Sequence, residues 1–205
     1  LEALVRWIKP DGSVIPPGRF IPLAEESGLI IPIGKQVFKK AVEQTCHIRE
    51  KSQLDLMLSV NISARQMDEL SFEKMATDVI EETSFPADRL KIEITESLLM
   101  RDINTTMTRL KNLSQIGISA AIDDFGTGYS SLAYLKQMPI TTLKIDKSFI
   151  DDIADDENAV ALVETIVVMA NKLNMGIVAE GVEDENQLKI LNQLGDMDIQ
   201  GYIFA

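Results

Sequence analysis

The chain has 205 residues, of which 45% are apolar, and its 32 acidic and 20 basic side chains give a formal net charge of −12. This composition suits one soluble domain with a substantial core, and the negative charge disfavours attraction of DNA or phospholipid surfaces. Cys46 and His47 are the single cysteine and histidine, which excludes an intramolecular disulfide, histidine-based zinc sites and Ser–His or Cys–His catalysis. Any chemistry must therefore rest on carboxylates, lysine, amides and metal ions.

No signal peptide and no apolar run long enough to span a bilayer is found in the sequence. We therefore expect a cytoplasmic domain without direct membrane insertion, although a longer parent protein could still be tethered to a membrane.

Apolar periodicity and the positions of proline and glycine predict strands that alternate with helices. The predicted strands cover residues 1–8, 54–63, 90–95, 118–123, 141–146, 176–179 and 198–204. The predicted helices cover residues 20–27, 34–51, 66–83, 97–116, a segment ending at 137, 155–174 and 183–194. Seven strands alternating with helices indicate an α/β fold with a parallel sheet and crossover helices.

Polar side chains cluster where the predicted strands end. They are Asn61, Glu93, Glu96, Asp123, Asp124, Lys144, Asp146, Glu180 and Gln200. An open sheet places its site at one switch point, whereas a closed barrel gathers the ends of all its strands at one mouth. The pattern favours a (β/α)8 TIM-like barrel that lacks one strand, and we expect a fragment truncated at both ends.

Two adjacent carboxylates, Asp123 and Asp124, end a predicted buried strand and precede a glycine-rich turn with Gly126 and Gly128. Neighbouring carboxylates repel each other and are costly to remove from water, so a pair at a strand end indicates bound cations. A strand–turn–helix corner with aspartate in the turn and serine as helix cap remains the alternative for the pair alone.

Eight motifs in this order resemble the EAL domains, the cyclic-di-GMP phosphodiesterases of bacterial signalling, over essentially the whole chain. They are EALVRW (2–7), FIPLAEESGLI (20–30), NISARQ (61–66), EITES (93–97), DDFGTGYSSL (123–132), LKIDKSFI (143–150), VAEGVE (178–183) and QGYIF (200–204). The resemblance implies a single EAL domain over residues 1–205, with a modified TIM barrel whose first, antiparallel strand is missing from this chain.

The resemblance also implies two divalent cations. Glu2, Asn61, Glu93 and Asp123 would hold one ion, and Asp123 would bridge to a second ion bound by Asp124 and Glu180. Oxygen ligands of this kind favour Mg²⁺ or Mn²⁺ over zinc or copper.

Further roles follow from the same motifs. Lys144, Glu180 and Asp124 would act in catalysis, with Lys144 or Glu180 assisting an activated water. Arg6, Asp146 and Gln200 would contact substrate, with Asp146 on the same strand face as Lys144. Glu96 would hold the loop that contains Gly126 and Gly128, whereas Glu183 is either part of the site or a helix N-terminal carboxylate.

The implied reaction is hydrolysis of cyclic di-GMP to linear pGpG. The alternative within the family is an inactive cyclic-di-GMP receptor. A magnesium-dependent barrel that abstracts a proton next to a carboxylate fits the asparagine ligand and the paired aspartates poorly. The Asp-Phe-Gly sequence also occurs in protein kinases, but this sequence has neither the glycine-rich loop nor the HRD loop of a kinase, so we exclude that interpretation.

The family also implies a homodimer and regulatory domains in the parent chain. Phe149 and Ile150 could contribute to an interface or to the core, and we favour the interface. We expect Trp7 to lie in the core.

Overall fold

The computed structural model describes residues 1–126 and 132–204. Its strands are β1 (Glu2–Ala3), β2 (Trp7–Ile8), β3 (Val14–Ile15), β4 (Leu58–Asn61), β5 (Leu90–Thr95), β6 (Ser119–Phe125), β7 (Thr142–Ile145), β8 (Gly176–Ala179) and β9 (Asp198–Ile199). Its α-helices are α1 (Pro17–Ser27), α2 (Ile30–Ser52), α3 (Ala64–Asp68), α4 (Phe72–Thr83), α5 (Glu96–Arg101), α6 (Ile103–Gln115), α7 (Leu132–Leu135), α8 (Lys147–Asp151), α9 (Glu157–Lys172) and α10 (Glu185–Leu194). Short 3₁₀ turns lie at Ala87–Arg89 and Tyr202–Phe204.

The chain divides into two compact units. The first contains Leu1–Ile94 and Ile103–Ser119, and the second contains Thr95–Asp102 and the chain from Ala120 onward.

In the first unit β1, β4 and β5 run parallel in that order. The aromatic rings of Phe38 in α2 and Phe72 in α4 pack edge to face, with their centroids 6.3 Å apart. Both rings are buried, so this contact joins two helices through the apolar faces that their sequences predict.

In the second unit β6, β7, β8 and β9 run parallel in that order. All four residues of β7 are buried, as expected for a strand of a parallel sheet covered on both faces. The predicted α/β fold with parallel strands and crossover helices is therefore found in each unit.

The predicted strand 1–8 is wrong in its length. Only Glu2–Ala3 pairs with β4, while β2 forms an antiparallel hairpin with β3. The turn between β2 and β3 explains the hairpin, because Asp11 accepts hydrogen bonds from the Ser13 backbone (2.9 Å) and hydroxyl (2.7 Å). The predicted turn at Pro10-Asp11-Gly12 is thus confirmed, but it closes a separate two-stranded sheet.

The prediction of one continuous helix over residues 66–83 is wrong, because this segment belongs to two helices, α3 and α4. A capping box between Ser63 and Gln66 starts α3, and the chain becomes extended at Glu69. Arg109 of α6, which is 8% exposed, donates from its guanidinium to the carbonyls of Asp68 and Glu69, both at 2.9 Å. The bond to Asp68 O satisfies a carbonyl at the end of α3, and Glu69 O also accepts a hydrogen bond from the Phe72 N–H at 3.1 Å.

Other elements also differ from the sequence prediction in their bounds or in their number. The helix predicted over 97–116 is divided at Asp102 into α5 and α6, and the strand predicted over 54–63 is limited to β4. The last strand ends at Ile199 and is followed by a 3₁₀ turn, while α8 was not predicted at all.

Within residues 1–126 and 132–204, no helix combines the length and the apolar content that crossing a bilayer requires.

A candidate metal centre in the second unit

A β-bulge at the end of β6 orients the two adjacent aspartates. Ile122 pairs with Leu143 and Phe125 with Ile145, so three steps along β6 correspond to two along β7. Asp124, within the irregular stretch, has a left-handed backbone with φ +53°. In a regular strand Asp123 and Asp124 would point to opposite faces, and the bulge redirects one of them.

Asp123, Asp124 and Glu180 form one carboxylate cluster. Each offers an oxygen, and these three oxygens all lie within 4.8 Å of one another. Lys144 of β7 is 2% exposed and places its Nζ 3.0 Å from Asp123 Oδ1 and 2.7 Å from Glu180 Oε1. When ionised, the three carboxylates carry −3 and the ammonium +1, which leaves a charge of −2 for these four groups.

The cluster fits a divalent cation. Asp123 Oδ1 is buried and, among the described residues, accepts no hydrogen bond although the Lys144 ammonium lies close to it. The single Lys144 ammonium compensates only one of the three carboxylate charges, so the cluster keeps negative charge that a cation would offset. Carboxylate oxygens are also the ligands that Mg²⁺ and Mn²⁺ prefer.

The pKa of the Asp124 carboxyl is raised. Burial is the largest cause, and the negative charges of Asp123 and Asp146 add to it, whereas the positive charge of Lys144 acts in the opposite direction. A cation bound at the cluster would act on this pKa in the opposite direction, because it favours the ionised carboxylates.

Glu180 directly follows β8 and is held through the backbone. Its N–H donates to Ile145 O at 3.2 Å. The Gln200 N–H donates a hydrogen bond to Ala179 O at 2.9 Å, and the Gln200 carbonyl accepts one from the Val182 N–H at 3.1 Å. The Gln200 backbone therefore bonds to residues before and after Glu180. Gln200, predicted to contact substrate, thus lies beside the turn that carries Glu180.

Glu96, the first residue of α5, is 2% exposed and its Oε2 accepts a hydrogen bond from the Gly126 N–H at 3.0 Å. The structure therefore brings Glu96 to the start of the glycine-rich loop. Gly128 lies outside the described residues, as does the rest of the loop over 127–131.

Two predicted site residues occupy local positions other than those expected, although the Asp146 side chain still forms a hydrogen bond with that of Asp124. β7 ends at Ile145, so Asp146 is not on a strand face with Lys144; it caps α8 and accepts from the Ser148 backbone at 3.0 Å. Glu183 pairs with Lys147 and lies before the Asp184 cap of α10, so it is not in the first turn of that helix.

Three predicted metal ligands belong to the first unit. Asn61 Nδ2 donates to Glu2 Oε1 at 2.6 Å. Glu93 is 4% exposed and pairs in register with Asn61 across β4 and β5. The structure therefore brings Glu2 and Asn61 together and places Glu93 on the neighbouring strand.

Arg6 and Trp7 are both exposed. The Arg6 guanidinium donates to Val5 O at 2.9 Å. Trp7 is 50% exposed and contacts Phe20 edge to face, so its predicted core position is wrong. Both side chains line an open, mainly apolar cavity of about 1150 Å³ in the first unit.

Sequence reasoning missed the close packing of α8 side chains on Gly126 and Gly181. The interface expected at Ile150 is wrong because this side chain is completely buried, and the neighbouring Phe149 packs on Gly126. Lys147 covers Gly181 in the same way. A glycine shortly after a strand-end carboxylate, as in Asp-Phe-Gly and Glu-Gly, was the available signal for these close contacts.

The chain matches the family model of the EAL domain over residues 1–205 and therefore belongs to the EAL domain family. It is 42% identical over 204 residues to the signalling protein YkoW of Bacillus subtilis, covering 100% of this chain and 25% of YkoW. It is 41% identical over 205 residues to the bifunctional diguanylate cyclase/cyclic di-GMP phosphodiesterase MucR of Pseudomonas aeruginosa, covering 100% of this chain and 30% of MucR. The chain thus spans less than a third of the length of these curated relatives.

The solved complex of the PaMucR phosphodiesterase with c-di-GMP superposes with a TM-score of 0.95 at 41% identity, covering 100% of this chain and 83% of that chain. This similarity confirms the predicted fold class, an α/β fold of the TIM-barrel-like EAL type. The resemblance inferred from the sequence motifs is confirmed as well.

Proposed function

We propose that this chain is a metal-dependent phosphodiesterase that hydrolyses cyclic di-GMP to linear pGpG. The observation that carries the proposal is the cluster of Asp123, Asp124 and Glu180 around the buried Lys144 ammonium. Relatives at 41–42% identity include MucR, whose name gives this activity, and its solved structure contains c-di-GMP.

The proposed cofactor is a pair of Mg²⁺ or Mn²⁺ ions. Asp123, Asp124 and Glu180 would hold one ion, and Glu2, Asn61 and Glu93 are the proposed ligands of the other. When bound, such a pair supplies an activated water and neutralises charge on the phosphodiester.

The reaction adds water across one phosphodiester bond. The water oxygen bonds to phosphorus, the bond from phosphorus to the ribose 3′ oxygen breaks, and a proton is transferred to that leaving oxygen. The Lys144 ammonium would stabilise negative charge near Asp123 and Glu180, since a buried cation acts strongly where water is excluded. Arg6, Asp146 and Gln200 remain the proposed substrate contacts.

Incubation of the chain with cyclic di-GMP and Mg²⁺ or Mn²⁺, followed by chromatography of the nucleotides, tests the proposal. We expect pGpG with either metal and none in EDTA. Binding of cyclic di-GMP without turnover would instead identify the chain as a receptor, and the absence of both would refute the proposed substrate.

Substitutions at the proposed metal ligands test whether these residues carry the proposed activity. We expect Glu180→Gln and Glu2→Ala to reduce turnover by more than the roughly 10–100-fold that is typical of partners outside the ligand set. Glu164→Gln, at an exposed position of α9, is the matched control and should keep wild-type turnover. Survival of activity in Glu2→Ala would remove Glu2 from the proposed ligands.

The proposed homodimer, the regulatory domains of a longer protein, the cytoplasmic location and the extent of the domain over residues 1–205 remain predictions. Gel filtration with light scattering tests the first of these.

A further inference from the structure

The short helix α8 begins immediately after β7, beside the carboxylate cluster. Asp146 caps it, and Ile150 anchors it in the core with no exposed surface. The Ile150 carbonyl also accepts a hydrogen bond from Gln187 Nε2 of α10 at 3.1 Å, and Gln187 is 5% exposed. The helix is therefore fixed at both its start and its buried face.

Phe149 of α8 packs directly on the turn that follows Asp124. Gly126 in that turn has φ +102°, and a β-carbon there would lie 2.8 Å from Cε2 and 2.9 Å from Cζ of the Phe149 ring. The ring therefore occupies the space over the Gly126 backbone, on a segment whose N–H is already bound by Glu96.

Lys147 of α8 makes the corresponding contact with the turn that follows Glu180. Gly181 has φ +72°, and a β-carbon there would lie 2.7 Å from Cβ and Cδ of Lys147. The Lys147 ammonium also pairs with Glu183 on the same turn and lies 3.6 Å from Asp151 on its own helix. The stem of Lys147 thus covers the turn, whereas its ammonium pairs at a half-exposed position where an ion pair contributes little to stability.

We propose that α8 positions the carboxylate cluster for metal binding, with Phe149 holding the turn after Asp124 and Lys147 holding the turn after Glu180. Both are positioning residues, since neither belongs to the cluster. The inference rests on the proposed function only in assigning a divalent cation to Asp123, Asp124 and Glu180.

The test measures Mn²⁺ affinity by electron paramagnetic resonance, which reports free Mn²⁺ and needs no turnover. We expect Phe149→Ala and Lys147→Ala each to raise the Mn²⁺ dissociation constant by roughly tenfold, as loss of an outer-shell partner does. Phe149→Leu and Lys147→Met keep the bulk over each glycine and should stay within about threefold of wild type, well inside that loss.

Two controls separate positioning from general destabilisation. Lys172→Ala removes an exposed lysine from α9, and Leu191→Ala creates a cavity at a completely buried position of α10. Thermal unfolding in EDTA ranks all variants by stability. Leu191→Ala should lower the unfolding temperature and leave the Mn²⁺ dissociation constant unchanged, because Leu191 belongs neither to α8 nor to the turns after Asp124 and Glu180.

Wild-type Mn²⁺ affinity in both alanine variants would overturn the inference. An equal loss of Mn²⁺ affinity in Leu191→Ala would also overturn it, because affinity would then follow stability. The same holds if Phe149→Leu and Lys147→Met bind Mn²⁺ as weakly as the alanine variants. A wild-type chain that binds Mn²⁺ but releases no pGpG refutes the phosphodiesterase and leaves the α8 comparison valid. A wild-type chain that binds no Mn²⁺ overturns the role of α8 itself.

Discussion

Lys144 is the cation that holds the carboxylate cluster together in the metal-free protein. It is 2% exposed and lies within 3.0 Å of an oxygen of Asp123 and of Glu180, which are 15% and 17% exposed. Loss of one partner of a buried ion pair leaves the other charges without compensation, and this is far more costly than the pair is favourable.

Lys144→Met should therefore destabilise the metal-free chain. We expect a loss of about 1–3 kcal/mol in the free energy of unfolding, below the roughly 3–5 kcal/mol for fully buried pairs because the carboxylates are partly exposed. Urea unfolding in EDTA measures the loss, with Lys172→Met as the exposed control. Saturating Mn²⁺ should narrow the difference, and equal stability in EDTA would contradict the role assigned to Lys144.

Cys46 gives a pH-dependent readout at a single thiol. Burial raises its pKa, the negative charge of Glu50 raises it further, and the thiol donates weakly to Thr83 O at 3.8 Å. A raised pKa means less thiolate at a given pH, so alkylation should be slower in the folded chain than in urea. Iodoacetamide rates measured from pH 7 to 10 test this, and Glu50→Gln should react faster than wild type. Superimposable folded and unfolded profiles would refute it.

Among the elements, the link between α3 and α4 depends on Arg109. Its two hydrogen bonds to the Asp68 and Glu69 carbonyls join α6 to a segment that the sequence predicts as continuous helix. The planar guanidinium reaches both carbonyls at once, which a lysine ammonium on a flexible stem does less well.

Arg109→Ala should lower the free energy of unfolding by about 2 kcal/mol, since it leaves two carbonyls without their charged donor. Arg109→Lys should recover only part of this loss. Urea unfolding is the measurement, and Lys111→Ala, exposed on the same helix, should change stability by less than about 0.5 kcal/mol. A similar loss in the Lys111 variant would show that α6, and not the Arg109 contact, is responsible.

The sequence predicts the existence and type of most elements because apolar periodicity and turn residues are local. The strands at 90–95 and 176–179 have the predicted bounds, and the Pro10-Asp11-Gly12 turn is found. The division of helix 66–83 depends on Arg109, which is distant in sequence, so local periodicity gives no sign of it. Helix α8 is five residues long, too short for its periodicity to be recognised.

The candidate site is predicted in its residue types more than in its geometry. Asp123, Asp124, Lys144 and Glu180 do converge, because parallel strands place their carboxyl ends at one edge. The bulge at Asp124 could not be predicted, since it requires the register between β6 and β7. The positions of Asp146 and Glu183 were misjudged because both precede helices and are governed by capping and by Lys147.

At the scale of the whole molecule, net charge governs ligand binding. A chain with a formal charge of −12 repels a dianionic nucleotide, and a divalent cation bound at the cluster would offset the charge of −2 on its four groups. Cyclic di-GMP should therefore bind at least about tenfold more weakly in EDTA than with Mn²⁺, a difference of roughly 1.4 kcal/mol. Equilibrium dialysis at constant ionic strength tests this, and equal affinity in both conditions would contradict it.

The disfavoured charge of Asp124, at a left-handed backbone position, predicts a trade-off between stability and the proposed metal binding. Asparagine tolerates that backbone as well as aspartate does, but it lacks the charge that Asp123, Asp146 and burial disfavour. Asp124→Asn should thus melt later than wild type in EDTA, by roughly 2–4 °C. Because the Asp124 pKa is raised, this advantage should be largest at neutral pH and shrink as acid protonates the wild-type carboxyl.

Added Mn²⁺ should reverse the order of the two unfolding temperatures, because we expect the wild type to bind the ion more tightly than Asp124→Asn and so to gain more stability from it. Differential scanning calorimetry with and without Mn²⁺ measures both unfolding temperatures. An equal increase in the wild type and in Asp124→Asn would contradict the prediction. The metal-free chain would then be more stable without the aspartate that the proposed metal binding requires.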